Sequence, residues 1–478
     1  MRVSEENAPD LPPPSPPSMR SLCSLLAYQI VFLVVLVAYA PVLAWRLAFD
    51  RRYRGGFFER LGFAPRSPEG RHVVWIHAVS VGELKAARSM IEALRAADPE
   101  QEVVVSSTTP TGRALARELH PDLRTFYYPL DFGPFPWLAL RRVRPAAVLL
   151  VELEYWPNFL LCAARRGVPV AVVNGRISEQ SFRGYRRIRG LAPPFHAIAR
   201  FCMQDETYRR RLLDLGVEPE RTFVTGNMKY DAVRVGHVPA TAPALREWLA
   251  DGGALVLVCG STHGDEDRIL LEVAIGVEAR LGRRLRVVLA PRHPERAGAV
   301  RDVIAHAGRT AVSWSAARHA LPRLSPGDIV VVDTIGHLEA FYAAGDVAFV
   351  GGSLVPRGGQ NMLEPAALGK AVLFGPHTGN FRNDVELLLG AGAAVQVDSR
   401  AALADALADL LSDSQRRAEL GERAVALIKR NQGATARTLA LLRPLVVRRP
   451  RSAGTRGTDR GASAVPTSSP EETRPFGT

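Results

Sequence analysis

Along most of the chain, short uninterrupted apolar runs alternate with stretches whose apolar positions recur at helical spacing. Val73 to Ile76 is such a run, and from Glu83 onward apolar side chains fall at 84, 87, 90, 91 and 94. The first pattern is that of a buried strand, the second that of a one-faced helix. It predicts strands near 73–77, 102–107, 124–128, 146–152, 169–173, 199–203 and 221–226. A second set follows near 254–259, 285–290, 328–333, 346–350, 371–374 and 394–397. Strands alternating with amphipathic helices imply an α/β protein with parallel sheets covered on both faces. The pattern breaks at "VRVGHVPATAPA", 233–244. Two Rossmann-like domains, 46–235 and 245–440, are therefore expected, joined by one linker and working at the cleft between them.

Both ends depart from this pattern. Residues 1–20, with "LPPPSPPS", and 448–478, rich in Arg, Ser, Gly and Pro, cannot bury a core and are expected to be disordered tails. Residues 21–45, "SLCSLLAYQIVFLVVLVAYAPVLAW", carry no charge and are long enough to span a bilayer. Arg46, Arg51, Arg52 and Arg54 follow, whereas Arg2 and Arg20 before it are offset by Glu5, Glu6 and Asp10. The positive-inside rule then puts everything after residue 46 in the cytoplasm. A single-pass anchor is the expectation. Its rivals are a helix lying in the membrane interface and a cleaved signal peptide, the latter opposed by Pro41 and by the long, acidic leading segment.

At 478 residues, 47% hydrophobic and 23% charged, the chain has the material for two or three full cores. Cys23, Cys162, Cys202 and Cys259 lie far apart with no CxxC pair, which suggests neither a disulfide framework nor a zinc site. A net charge of +13 raises the question of nucleic acid. No stacking motif or zinc finger accompanies it, so an anionic membrane surface or a phosphorylated substrate is the better partner.

Glu83 stands where the first run gives way to the first helix. An acid there can offset the helix dipole, or act as a general base at the carboxyl edge of a parallel sheet; the stretch alone favours the former. "VELEYWPN" ends a strand in Glu152 and Glu154, which would share a face, and Glu83 and Glu152 would converge if their strands are near neighbours. Lys229, in "TGNMKYD", is either solvated or a point charge for a phosphate. Asp265-Glu266-Asp267 matches a metal-binding D-x-D but reads more simply as an acidic first helical turn. Arg292, between Pro291 and Pro294, is placed to grip a phosphate. Gly351-Gly352 and Gly358-Gly359 let backbone approach a ligand, Asn361 suits a helix cap, and Glu364 could accept from ribose hydroxyls. No GxGxxG or P-loop occurs, so a dehydrogenase or an NTPase is unsupported. "SEQSFRGYRRIRG", 178–190, sets arginines beside Phe182 and Tyr185. It reads as an acceptor surface for a phosphorylated lipid or as a solvated basic face.

Taken together, "WIHAVSVGE", "VELEYWPN", "NGRIS", "GNMKYD", "PRHPER", "FVGGSLVPRGGQNMLEPA" and "GPHTGNF" resemble the Kdo transferases of lipopolysaccharide biosynthesis, glycosyltransferase family 30, from about residue 46 to 440. The resemblance implies a GT-B fold in the cell inner membrane, with catalytic domains on the cytoplasmic side. It implies inverting, metal-independent transfer of 3-deoxy-D-manno-octulosonic acid (Kdo) from CMP-Kdo to a phosphorylated lipid A precursor, lipid IVA, with no cofactor. It also reverses the first reading of Glu83, which matches the catalytic base. Glu152 and Lys229 become transition-state stabilisers, and Pro291, Arg292, Ile335, Gly336, His337, Asn361, Met362, Leu363 and Glu364 contact CMP. Two positions depart from the family pattern: "GGHNPLE" reads "GGQNMLE", placing Gln360, and the acid often found after the glycine of "GEL" is His337. A GT-B sugar-nucleotide epimerase and an inactive membrane-tethered binding module are the alternatives.

Overall fold

The computed structural model describes residues 19–49, 55–187 and 195–447. The first set of apolar runs forms β1 (Val73–His77), β2 (Glu102–Ser107), β3 (Arg124–Tyr127), β4 (Ala147–Val151), β5 (Val170–Gly175), β6 (Arg200–Met203) and β7 (Thr222–Val224). They make one seven-stranded sheet in the order β3-β2-β1-β4-β5-β6-β7. The second set forms β8 (Leu255–Thr262), β9 (Leu285–Pro291), β10 (Ala311–Ser313), β11 (Ile329–Val331), β12 (Val347–Val350), β13 (Ala371–Phe374) and β14 (Val395–Gln396). Its order is β10-β11-β9-β8-β12-β13-β14. All strand pairs are parallel. Two such sheets in one chain form the expected α/β, GT-B arrangement. Only β10 was not foreseen: it is a three-residue edge strand, too short to show a period.

Strand order reverses between β1 and β4 in the first sheet and between β8 and β12 in the second. In open α/β sheets the crevice outside the carboxyl ends at such a reversal is where ligands bind. β4 stops at Val151, so Glu152 and Glu154 lie beyond the strand rather than on it, a correction to the expected 146–152. The cause is local: Glu152 has φ 59, a left-handed backbone that ends extended structure.

The helix Val81–Ala97 buries Leu84, Ala87, Met90, Ile91 and Leu94, the face set by their spacing. They join Val74, Ile76, Val103, Val105 and Leu149 in one core, each large side chain worth roughly 1.5–3 kcal/mol removed from water. The last helix, Ala434–Val446, belongs to this same core through Ala434, Leu442, Leu445 and Val446. The sequence had assigned its first residues to the second domain. An apolar stripe specifies that a helix is buried, not which sheet receives it. The crossing is fastened by Asp231, whose carboxylate accepts from the Gly433 and Thr435 amides, each at 2.6 Å.

The helix Met19–Phe49 is 31 residues long. Gln29 donates to Asn158 at 2.7 Å and accepts from the Gly133 amide at 3.3 Å, and Phe32 stacks on Phe132 at 5.5 Å. Leu26, Ile30, Val31, Val34 and Val37 are exposed on it. Among the described residues no helix is long and apolar enough to cross a membrane. The expected tails, but for Met19 and Arg20, lie outside the described residues, as do Arg51, Arg52, Arg54 and positions 188–190.

Candidate active site

The first reversal point gathers carboxylates. β1 and β4 are adjacent, which brings the segments that follow them, with Glu83 and Glu152, to one edge. Ser80 caps the helix Val81–Ala97, and Glu83 reaches back three residues in the manner of a capping box. Its Oε2 accepts from the Val79 amide at 2.7 Å, and its Oε1 accepts from the Ser80 hydroxyl at 3.0 Å. The first-turn reading of Glu83 therefore holds, and the same placement puts its carboxyl at the carboxyl edge of the sheet. The carboxyl is only 8% exposed. Burial pushes it up to about 7, the Val79 hydrogen bond pulls back, and the charge of Glu152 adds to the rise.

Glu152 is raised by burial and drawn down by the charges of Arg176 and Lys229. Arg176 Nε lies 3.6 Å from its Oε2. Glu154 is pushed up to about 7 by burial first, then by Glu83 and Glu152. Three carboxyl groups that feel one another, two of them poised near neutrality, form a site able to take up a proton at physiological pH. Glu154 and Arg176 were not assigned as site residues, although both stand inside the recognised motifs.

Lys229 sits in a single helical turn, Met228–Tyr230, after β7. Its ammonium is already engaged, donating to Asp384 Oδ2 at 2.5 Å and lying 4.4 Å from the centre of the Phe381 ring. Asp384 follows β13 of the second sheet, so this contact joins the carboxyl edges of the two domains.

The second reversal point is built differently. Pro291 is buried at the end of β9, while Arg292 is exposed and its amide donates to the Thr262 carbonyl at 3.0 Å. Ile335 is 84% exposed, and Gly336, at φ 89, has open space where a Cβ would stand. His337 packs edge-on against Trp314 at 5.7 Å. Asn361 accepts from the Leu363 amide at 3.2 Å and donates to Glu364 at 3.0 Å. Met362 and Leu363 are fully buried. Their side chains belong to the core, so contacts from these two positions can come only from backbone. Desolvation by the surrounding protein raises Glu364, with the charge of Glu339 adding to it; Asn361, Lys85 and Arg292 pull it down. The charge of Lys85, on the Glu83 helix, therefore reaches Glu364 of the second domain, an influence the sequence did not suggest.

Around the glycine turns the charge is positive. Burial lowers His263 first, and the neighbouring His293, Arg296, Arg357 and Arg292 lower it further. Gln360 Nε2 lies 3.2 Å from His263 Nε2. The amide of Gly352, in a turn the sequence offers to a ligand, instead donates to Glu266 at 2.6 Å, as do those of Ser353 and Leu354 at 2.9 and 2.8 Å. Glu266 also accepts from the His263 amide at 2.8 Å. Asp267 is held by Thr262 and Arg296. Glu266 and Asp267 of the D-x-D stretch are therefore a buried staple for the turn, while Asp265 is exposed. Among the described residues no group of three or more His, Cys, Asp or Glu side chains is arranged to hold a metal.

Residues 55–232 match the family model described as 3-deoxy-D-manno-octulosonic-acid transferase (kdotransferase). The 3-deoxy-D-manno-octulosonic acid transferase of Bordetella pertussis is 34% identical over 443 residues, covering 86% of this chain and 98% of the relative. That of Haemophilus influenzae is 32% identical over 405 residues, covering 83% and 93%. Among solved structures, the UDP-GlcNAc 2-epimerase of Neisseria meningitidis bound to UDP-GlcNAc is similar, with a TM-score of 0.52. It covers 78% of this chain and 100% of that one, and at 13% identity the likeness is one of fold.

Proposed function

The chain belongs to the family of 3-deoxy-D-manno-octulosonic acid (Kdo) transferases, and we propose a single inverting displacement, free of metal, as its reaction. It is a glycosyltransferase that transfers Kdo in lipopolysaccharide biosynthesis, with CMP-Kdo as donor. The acceptor in this reading is a phosphorylated lipid A precursor, lipid IVA. Glu83 takes the proton of a glucosamine hydroxyl as that oxygen bonds to the anomeric carbon of Kdo. The bond from that carbon to the phosphate oxygen breaks on the opposite face, and CMP leaves with the electron pair. Glu152, oriented by Arg176, and the ammonium of Lys229 stabilise the developing charges. Arg292 and the basic groups around Gly358–Gly359 receive the phosphate, and the backbone at 335–337 and 361–364 receives the rest of CMP. Glu364 takes ribose hydroxyls, for which Asn361 holds it. The epimerase alternative rests on fold likeness alone and is not favoured.

One observation carries this reading: the buried Glu83 carboxyl, pushed up to about 7 at the edge where the two domains meet. A base whose pKa lies near the working pH is the efficient one. Replacing Glu83 with Gln keeps the size and hydrogen bonds of the side chain but removes its basicity. CMP release and mass spectrometry of the lipid product test it: CMP still binds while transfer falls about a hundredfold or more. Turnover near that of the parent protein would end the role of Glu83.

For location, the reading is a cell inner membrane protein with its catalytic domains on the cytoplasmic side. The helix Met19–Phe49 supports it by docking one side on the first domain through Gln29 and Phe32 and leaving aliphatic side chains exposed. Phe58, Phe63 and Trp137 are also exposed, with Arg142 over the Phe63 ring and Arg141 over that of Trp137. Apolar groups beside cations suit an anionic lipid surface. Changing Val34 and Val37 to Asp should release the protein from anionic vesicles in a flotation assay; unchanged flotation would move the anchor elsewhere.

A further inference from the structure

Lys229, a charged side chain at the cleft, is held from the opposite domain. Its ammonium meets Asp384 Oδ2 at 2.5 Å and rests 4.4 Å from the centre of the Phe381 ring. The other oxygen of Asp384 accepts from the Tyr230 hydroxyl at 3.2 Å. Asp384 lies in the first turn of the helix Arg382–Gly390, and its side chain is 7% exposed against 31% for Lys229. A lysine is a point charge on a flexible stem, with rotamer freedom to lose before it can act at one place. A buried carboxylate on one side and an aromatic face on another remove that freedom beforehand. The charge of Lys229 also reaches Glu152 in its own domain, so the ammonium stands between the two halves of the cleft.

We propose that Asp384, assisted by Phe381, is a positioning residue for the transfer reaction, fixing the Lys229 ammonium beside Glu152 where negative charge develops on the leaving phosphate. The inference rests on the reading of Lys229 as a transition-state stabiliser. Asp384 touches no substrate in this scheme and acts only through the lysine. The pair also contributes to holding the domains together, and Tyr230 separates the two effects. It shares the carboxylate, but its ring is buried in the second domain's core beside Met362 and Phe374. Tyr230→Phe therefore weakens the tie and leaves the lysine seated.

The test uses the full chain with CMP-Kdo and detergent-dispersed acceptor, and compares Asp384→Asn, Lys229→Met, their double variant and Tyr230→Phe. Asp384→Asn should lower kcat about tenfold or more while both KM values stay within about twofold, because the interaction lost acts in the transition state. Added to Lys229→Met it should cost nothing further, since two residues acting as a unit are non-additive. Tyr230→Phe should keep kcat within about twofold. Asp384→Glu, which retains the buried charge, should fold and lose less than Asp384→Asn. Losses that multiply in the double variant, or an equal fall in Tyr230→Phe, would reduce Asp384 to a structural tie and overturn the proposal. A slow Lys229→Met beside an unimpaired Asp384→Asn removes the role of Asp384 alone. A fully active Lys229→Met removes the reading of Lys229 and this inference with it.

Discussion

Glu83, the proposed general base, should make the protein less stable by an amount that depends on pH. Glu83 is moved from an ordinary value of 4.5 to about 7, chiefly by burial. Below 4.5 the carboxyl is protonated whether the chain is folded or not, and the folded state bears no penalty. Between 4.5 and 7 the unfolded chain releases the proton and the folded one keeps it, so stability falls as pH rises. Above 7 the loss is complete, and at 1.36 kcal/mol per pH unit it amounts to about 3 kcal/mol. Glu83→Gln carries no such charge, and its amide can still accept from Val79 and donate to the Ser80 oxygen. Differential scanning calorimetry of parent and variant from pH 5 to 9 should show the melting-temperature gap widening in the variant's favour, then levelling above pH 8. For a domain of roughly this size the widening corresponds to about 6–12 °C. Transfer should follow the same ionisation, with kcat of the parent rising up to about pH 7 and then flat. A gap that stays constant with pH would show that burial does not govern this carboxyl, and the argument for Glu83 as base would lose its physical ground.

Other consequences are more local. Glu266→Gln leaves one strong acceptor where four amides converge, so it should destabilise the second domain by about 2–4 kcal/mol and weaken CMP binding; urea unfolding with calorimetric CMP titration checks both. EDTA should leave turnover within about twofold, because the acids at 266 and 267 are occupied by protein donors and, in the proposed mechanism, charge at the leaving group is met by Lys229 and Arg292; restoration of a lost rate by a divalent cation would contradict it. Arg186 and Arg187 are exposed on the helix Glu179–Arg187, whose Tyr185 packs inward against Tyr155 and Phe195 at 5.8 and 5.6 Å. Changing both arginines to Ser should raise KM for the phosphorylated lipid and leave that for CMP-Kdo alone, while an unchanged acceptor KM at low salt would return this helix to a solvated face.

The sheets were legible because every strand but β10 falls in a short apolar run, and the burial of the Glu83 helix because 84, 87, 90, 91 and 94 repeat at helical spacing. What failed to show shares one physical cause: the partner lies far along the chain. Glu266 was read as an acid in a first helical turn, which it is, but three of the amides that define its task come from residues 352–354. Asp384 lies outside every motif read from the sequence, and its lysine is 155 positions away. Motif resemblance marked Met362 and Leu363 as contacts; burial then decides that only their backbone can serve.

One class of residue was open to local inspection only after folding. Non-glycine side chains at positive φ should be costly, about 1–3 kcal/mol each, unless the surroundings enforce them. Glu152 at φ 59 follows β4 and Ser261 at φ 56 lies near the end of β8, where its register with β9 shifts, so one stands at each point where strand order reverses. Asn174, at φ 53, accepts from the Met228 amide at 2.9 Å, next to Lys229. Glycine at any of the three would relieve the backbone, yet at Glu152 it would remove a carboxylate and at Asn174 the acceptor that anchors the lysine's turn. Strain retained at the cleft is what a site built for particular side chains requires, since local rules are broken where function needs the residue more than the backbone needs relief.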